Sequence, residues 1–284
     1  MKKTTGFAVI VPAFGWLCFF LLIPLLIVLV YSFATKGVYG GIVYRFNLDN
    51  YLRSTELIYL RILWNSIVLA LTTAVSCLGI GFPMSYVMAT ARKSARSLLM
   101  MCVILPFWTN FVVRAYAIKV LLSEHGPINA LFIAMKLTVT PIALANSPFA
   151  VWIGMVTNYL PFMVLPLYVS LEKFDFTLLE AARDLGAKPA QAMWRVLAPL
   201  VRPGLVTGFI FVFTPALGEF VIPDLFGGAK TMLVGNLVTD QFLKSRDWPF
   251  GAALSMILLL SVLVSLVFYL RMQEEERRFT RGGT

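Results

Sequence analysis

The sequence predicts an all-α membrane protein with six transmembrane helices. Of its 284 residues, 59% are hydrophobic and only 13% are charged, whereas about 25% of the residues in a soluble domain are charged. The mean hydropathy is +0.83. A soluble domain of this size cannot hide so much apolar surface, because its outside must be wetted. These values exclude an ordinary cytosolic enzyme, a disordered chain and a secreted disulfide scaffold.

Six apolar stretches are long enough to cross a bilayer, which takes about 20 residues. The first follows Lys2 and Lys3. It is too long for the apolar part of a signal peptide and no small-residue cleavage site follows it, so we interpret it as a retained helix. The predicted helices of this single domain, residues 1–284, cover approximately residues 8–33, 62–91, 98–122, 148–171, 203–222 and 248–271.

The distribution of basic residues predicts which side of the membrane each connection faces. Six spans place both termini on one side. If that side is the cytoplasm, the inner segments carry more Lys and Arg than the outer ones, and the short connection 92–96 alone carries three. Because cytoplasmic loops are enriched in Lys and Arg, we expect both termini in the cytoplasm. The net charge of +10 follows from this enrichment, so we expect no nucleic-acid partner.

The residue types that metal and acid–base chemistry needs are scarce. Cys18, Cys77 and Cys102 lie in apolar stretches without the spacing of a metal site, and His125 is the single histidine. We therefore expect no metal site, no cofactor and no Ser-His-Asp triad.

Residues 173–202, between the fourth and fifth predicted helices, carry the strongest signal in the sequence. Thr177 and Glu180 have the spacing of a capping box. Gly186 is the residue type that ends helices in a left-handed conformation, and Pro189 can open a second helix. We predict two short helices at about a right angle. A connection of this length has little reason to fold unless a protein binds it, although Glu180 and Gly186 can also be only a cap and a helix stop.

The same connection resembles the EAA loop of permeases of ATP-binding-cassette (ABC) importers, and we term it the EAA segment. In that family Glu-Ala-Ala is followed by three residues and Gly, then by nine residues and Ile-x-Leu-Pro. Here Val196 replaces the isoleucine and Ala198 replaces the leucine. The resemblance implies the type I importer fold and a segment that docks in a cleft of an ATPase subunit. The positions that carry this role are Glu180, Ala181, Ala182, Asp184, Gly186, Val196 and Pro199.

Four segments resemble the spermidine/putrescine permeases, most closely the putrescine type: residues 160–168, 180–186, 218–223 and 246–249. The resemblance implies a location in the bacterial inner membrane beside a second, different permease chain. It further implies two copies of an ATPase subunit, and a periplasmic binding protein that delivers the polyamine.

ATP hydrolysis is expected from the ATPase partner and not from this chain. A Walker A loop has two glycines ahead of its lysine at fixed spacing. The closest string here, residues 227–231, has Asp224 where the first glycine belongs and Ala229 directly before Lys230. We therefore interpret the chain as a transport subunit without enzymatic activity.

A polyamine is a flexible di- or trication, so its path should offer carboxylates and aromatic faces. Glu219 is the strongest candidate, because it follows an uncharged stretch that spans about 24 Å as a helix. Two other interpretations are open, namely that Glu219 only marks a helix end or that it pairs with Arg114. Weaker candidates for the path are Asp224, Trp108, Tyr116 and Tyr159.

Other functions stay open at this point. The main alternative is an ABC permease for an amino acid, iron or a sulfonate, because substrate choice rests largely on the binding protein. A secondary transporter driven by an ion gradient would show an internal repeat and several ionisable residues near mid-membrane. A membrane-embedded enzyme would show clustered His, Asp or Glu. The sequence displays neither pattern.

Overall fold

The computed structural model describes residues 3–37, 41–228 and 231–281. Lys2, Ala229 and Lys230, which entered the predictions above, lie outside these ranges. The described chain is helical except for one antiparallel pair of two-residue strands. In order, the elements are α1 (Lys3–Ser32), β1 (Thr35–Lys36), β2 (Ile42–Val43), α2 (Asp49–Ser54), α3 (Leu57–Thr90), α4 (Lys93–Trp108), α5 (Phe111–Leu121), α6 (Pro127–Ala134), α7 (Pro148–Glu172), α8 (Thr177–Asp184), α9 (Pro189–Ala192), a π-helical turn (Met193–Leu197), α10 (Ala198–Leu200), α11 (Arg202–Leu217), α12 (Val221–Phe226), α13 (Val234–Leu243) and α14 (Trp248–Arg281).

Among the residues that the structure describes, four helices are individually long and apolar enough to cross a membrane. They are α1, α3, α7 and α14. Two bent pairs raise the number to six when each pair counts as one span: α4 with α5, and the stretch Pro189–Leu200 with α11. Within the described ranges, six spans are therefore present only if two of them are broken helices.

The third span differs from the single helix predicted over residues 98–122. It consists of α4 and α5, which meet at a bend of 97°. Pro106 lies in the last turn of α4, where its ring lacks an N–H for the helix ladder. Asn110 then starts α5, because its Oδ1 accepts hydrogen bonds from the Val112 and Val113 amides at 2.8 and 3.4 Å. A proline followed by an amide cap favours a break over one straight helix.

The fifth span also differs from the prediction of one helix over residues 203–222. Helix α11 ends at Leu217 and the short α12 begins only at Val221, so that Glu219 lies in the break between them. Pro215 lies in the last turn of α11, which weakens the helix there. The remaining boundaries move by a few residues, except that α14 continues to Arg281.

The chain forms two compact units. The first comprises Met1–Ile62 and Leu237–Ser261. Its core contains Leu237, Phe250 and Leu254. Arg53 stabilises this unit, because its guanidinium lies 4.0 Å from the centre of the Phe250 ring and 3.0 Å from a carboxylate oxygen of Asp247.

The second unit comprises Leu63–Asn236 and Val262–Thr284, and α7 is its central helix. Small residues of α11 allow α11 to pack closely on α7. A Cβ at Gly204 would lie 2.9 Å from the Pro166 carbonyl oxygen, and one at Gly208 would lie 3.1 Å from that of Met163. Small residues at this four-residue spacing are typical of helix contacts in membranes.

Candidate functional site

Helix α8 opens the EAA segment, but its cap differs from the predicted Thr177–Glu180 box. Thr177 is the first helical residue. Asp175 caps the helix instead: its Oδ1 accepts a hydrogen bond from the Thr177 amide at 3.0 Å and one from the Thr177 hydroxyl at 2.8 Å. The hydroxyl and amide of Thr177 lower the pKa of the Asp175 carboxyl. Glu180 is therefore not needed for the cap, and its side chain is exposed.

Gly186 ends α8 as predicted. Its φ is +87°, a conformation that favours glycine because a Cβ would clash with the backbone. The Gly186 amide donates to the Arg183 carbonyl and the Ala187 amide donates to the Ala182 carbonyl. This pair of bonds is a Schellman motif, which satisfies the last carbonyls of a helix. The glycine thus fixes where α8 stops and where the chain turns.

The second short helix begins at Pro189, also as predicted. The Gln191 side chain accepts a hydrogen bond from the Lys188 amide at 3.0 Å and so supports the first turn. The helix then widens into the π-helical turn Met193–Leu197. Pro199 follows this turn and cannot donate to the ladder, so the wider turn accommodates the missing hydrogen bond.

The EAA segment has a buried inner face and an exposed outer face. On the inner face, Leu179, Ala192 and Leu197 are buried with Leu171 of α7 and Val201, and Ala182 and Val196 are partly buried against the same cluster. The outer face includes Glu180, Ala181, Asp184, Leu185, Gly186 and Trp194. Two of its members are large apolar side chains, because Leu185 is 90% exposed and Trp194 is 78% exposed.

This division separates the predicted docking residues into two groups. Glu180, Ala181, Asp184 and Gly186 are exposed, whereas Ala182 and Val196 face the core of the segment. Pro199 is exposed at the far end. Leu185 and Trp194 were missed by motif reasoning, because exposure of an apolar side chain is a property of the folded segment.

Glu219 and Tyr159 are brought together by the structure. The Tyr159 hydroxyl donates to Glu219 Oε2 at 2.6 Å, and Tyr159 is only 5% exposed. The other carboxylate oxygen, Oε1, accepts from the amides of Phe220, Val221 and Ile222 at 2.9–3.4 Å. Glu219 thus caps α12 with one oxygen and contacts α7 with the other, and it is partly buried between them.

Asp224 is connected to the same region through Asn236. The Asn236 amide donates to Asp224 Oδ1 at 2.6 Å and to the Phe220 carbonyl at 2.8 Å. Gly235 lies directly against the break, because a Cβ at this position would be 2.7 Å from the Glu219 carbonyl oxygen. These contacts hold α12 and the Glu219 backbone in place.

Arg114 does not pair with Glu219. Its guanidinium donates to the Pro106 carbonyl, which also accepts from the Thr109 amide and hydroxyl, and to the Asn158 side-chain oxygen at 2.5 Å. Arg114 therefore ties the broken third span to α7. Asn158 and Asn236 were both missed by sequence reasoning, although a lone amide in an apolar helix signals a polar partner.

Two of the predicted path residues are not brought to Glu219 by any contact among the residues that the structure describes. Trp108, at the end of α4, is 82% exposed, and Tyr116 on α5 is 53% exposed. Helix α12 packs against both α5 and α7.

Comparison with known proteins finds close relatives. Residues 81–274 match the family described as binding-protein-dependent transport system inner membrane component. The spermidine/putrescine transport system permease protein PotB of Salmonella typhimurium (strain SL1344) is 43% identical over 95% of each chain. PotB of Escherichia coli (strain K12) is 42% identical over 92% of this chain and 95% of that protein.

A solved structure with the same fold is a bacterial alginate ABC transporter in complex with an alginate pentasaccharide-bound periplasmic protein. One of its chains aligns with a TM-score of 0.72 at 17% identity, covering 98% of this chain and 96% of that one. At this identity the likeness concerns the fold, and it extends over nearly the whole molecule.

Proposed function

Because the chain belongs to the family of binding-protein-dependent transport system inner membrane components, we propose that it is a membrane-spanning subunit of an ABC importer for polyamines. The observation that carries the substrate class is the 43% identity to a spermidine/putrescine permease over 95% of both chains. A separate ATPase, in two copies, supplies the energy. A second and different permease chain completes the path, and a periplasmic protein delivers the polyamine. We further propose that the chain is a permease of the putrescine type, as the resemblance of its sequence implies.

The outer face of the EAA segment is the surface that we assign to the ATPase. It presents the carboxylates of Glu180 and Asp184 together with the exposed side chains of Leu185 and Trp194. Apolar side chains at the centre of a polar surface are typical of protein interfaces. The inner face packs on Leu171 of α7, so a push on the segment reaches a transmembrane helix directly. The segment lies in the cytoplasm in this proposal.

Glu219 is the residue that we assign to the polyamine. A carboxylate offers about four acceptor positions. Oε1 is occupied by backbone amides, whereas Oε2 accepts only the Tyr159 hydroxyl among the described residues. Oε2 therefore has room for one ammonium group of the substrate. The ring of Tyr159 and the carboxylate of Asp224 lie within the same connected group of side chains.

The docking role is tested by uptake of radiolabelled putrescine and spermidine into proteoliposomes. These contain the chain with its co-encoded permease, ATPase and binding protein. We expect Glu180→Ala to lower both uptake and binding-protein-stimulated ATP hydrolysis at least tenfold, because contact with the ATPase is weakened. The control is Glu124→Ala, which removes an exposed carboxylate outside the segment. Normal coupling in Glu180→Ala would contradict the proposal.

The path role is tested by Glu219→Gln. Glutamine keeps an oxygen for the α12 amides, so the fold survives while the charge is lost. We expect the KM for uptake to rise roughly ten- to a hundredfold, because a hydrogen bond to a charged group contributes about 1.5–3 kcal/mol. Tyr159→Phe keeps the charge and should raise KM less. Equal KM values for wild type and Glu219→Gln would remove Glu219 from the path.

The same assay also tests the alternative that the importer carries a substrate other than a polyamine. If neither polyamine is taken up, while a binding protein loaded with an amino acid, iron or a sulfonate stimulates ATP hydrolysis, the chain is an ABC permease for that substrate. The identity to spermidine/putrescine permeases makes polyamine uptake the expected result.

A further inference from the structure

A groove in the second unit is not used by the proposed transport mechanism. It has a volume of about 500 Å³ and lies between α3, α4 and α7. Its walls are almost entirely apolar and include Pro83 of α3, Pro161 of α7, and Leu99, Cys102 and Pro106 of α4. We term it the proline groove. In a transmembrane protein, an open apolar groove of this kind lies at the depth of lipid acyl chains.

The side of α4 that lines the groove leads to basic residues at the start of the helix. Ala95, Leu99, Cys102 and Pro106 follow one another at spacings of three or four residues within α4, which places them along one side of the helix. Arg92 directly precedes α4 with an extended backbone, so a cation lies where this apolar side begins. The neighbouring residue Lys93 adds a second cation at the same end.

These two cations are available to a ligand. Arg92 and Lys93 are exposed, and neither makes an ion pair with a residue in the described ranges. The third cation of this connection, Arg96, is already engaged with Glu172 at 2.8 Å and with the Ala89 carbonyl. Because Arg96 balances Glu172, the local charge at this end of the groove is positive.

The dimensions fit one phospholipid molecule. At 1.5 Å per helical residue, Leu99 lies about 10 Å and Pro106 about 21 Å from the level of Arg92. Half of a bilayer, headgroups included, is about 20–22 Å thick. A lipid whose phosphate lies at Arg92 therefore has an acyl chain beside the whole length of the groove.

We propose that the proline groove binds an anionic phospholipid, with one acyl chain between α3, α4 and α7 and the headgroup phosphate on Arg92 and Lys93. Basic residues at the membrane boundary attract anionic headgroups, and the apolar walls exclude water from the chain. The lipid fills the space beside Pro83, Pro106 and Pro161.

The first test uses the complete transporter in vesicles of phosphatidylethanolamine and phosphatidylglycerol at a 3:1 ratio. In parallel samples, one lipid or the other carries a diazirine in an acyl chain, and the vesicles are irradiated. Because Cys102 lines the groove, we expect adducts on α4 around this position, with phosphatidylglycerol in excess of its share of the lipid. Adducts in the 3:1 ratio, or none on the walls of the groove, would overturn the proposal.

The second test counts lipids retained by the detergent-purified complex in native mass spectrometry. Arg92→Gln with Lys93→Gln should weaken phosphatidylglycerol retention about fivefold for each charge removed. The control, Arg45→Gln with Lys136→Gln, removes two exposed cations outside the EAA segment and should leave phosphatidylglycerol retention unchanged. Cys102→Phe narrows the groove without removing charge and should also reduce retention. Equal retention in Cys102→Phe and wild type would show that the groove is not involved.

Discussion

At the scale of single residues, polar side chains outside the recognised motifs organise both candidate sites. Asp175 caps α8 in the role that the sequence pattern gave to Thr177 and Glu180. Asn236 links Asp224 to the Phe220 carbonyl. The consequence for Glu180 is direct: a side chain that is not needed to cap its helix is free to contact a partner.

The Asp175 cap should depend on pH. Its pKa is lowered in the folded state by the Thr177 hydroxyl and amide. The cap therefore stabilises α8 above the ordinary aspartate pKa and is lost as the pH falls through the lowered value. We expect Asp175→Ala to speed hydrogen exchange of the α8 amides at pH 7, and the ratio of variant to wild-type rates to approach one only when the pH falls below the lowered pKa of Asp175. A constant ratio would contradict this assignment.

Gly235 should be intolerant of any side chain. A Cβ there would lie 2.5 Å from the Gly218 carbonyl oxygen and 2.7 Å from that of Glu219, and backbone atoms cannot move aside cheaply. We expect Gly235→Ala to displace Glu219 and to reduce polyamine uptake, although no charge changes. The control is Gly79→Ala, since a Cβ there meets nothing within 4 Å. Normal uptake by Gly235→Ala would show that the chain between α11 and α12 can shift without loss of transport.

At the scale of helices, breaks and close contacts set the architecture. The third span consists of α4 and α5, which meet at 97°, and the stretch Pro189–Leu200 of the EAA segment meets α11 at 73°. The broken third span is tied to α7 by Arg114, and α11 packs on α7 through Gly204 and Gly208. A broken helix inside a membrane is tolerated when neighbouring groups satisfy its backbone atoms, as Thr109 and the Arg114 guanidinium do for the Pro106 carbonyl.

The contact between α7 and α11 should be sensitive to one methyl group. A Cβ at Gly204 would lie 2.6 Å from Ser170 Cβ and 2.9 Å from the Pro166 carbonyl oxygen. We expect Gly204→Ala to cost about 1–3 kcal/mol through overpacking, measured by thermal unfolding in detergent. Gly208→Ala should cost less, because its closest neighbour is the flexible Met163 sulfur at 2.8 Å. The reverse order would contradict this packing.

At the scale of the whole molecule, the fold is that of ABC importer permeases, in agreement with the alginate transporter chain. The orientation in the membrane is predicted from the connecting segments that are rich in Lys and Arg, above all residues 92–96. It determines whether the EAA segment can meet an ATPase, because only the cytoplasmic side holds ATP.

The orientation can be measured by labelling. In a variant without native cysteines, Ser94→Cys should react with a membrane-impermeant maleimide only in inside-out vesicles. Glu124→Cys should react only in right-side-out vesicles, because an odd number of spans separates the two connections. Labelling of both positions from the same side would show that α4 and α5 together do not cross the membrane.

The sequence by itself determined the class of protein, and it predicted six spans and the two short helices of the EAA segment. These features follow from local properties: the length of apolar stretches, the cost of charge in lipid, and the residue types that start and stop helices. The turn at Gly186 was predicted for this reason. The breaks after Pro106 and Leu217 were not, since an apolar composition continues through them and only their polar partners make a break tolerable.

Only the tertiary structure decided which distant residues meet. Tyr159 and Glu219 are 60 positions apart, and Arg114 and Asn158 are 44 apart. The proline groove likewise combines residues of three helices. The physical reason is that these contacts depend on how closely α7 approaches its neighbours, which is set by small residues and carbonyl positions across the interface. A linear pattern of hydrophobicity carries no information about that distance.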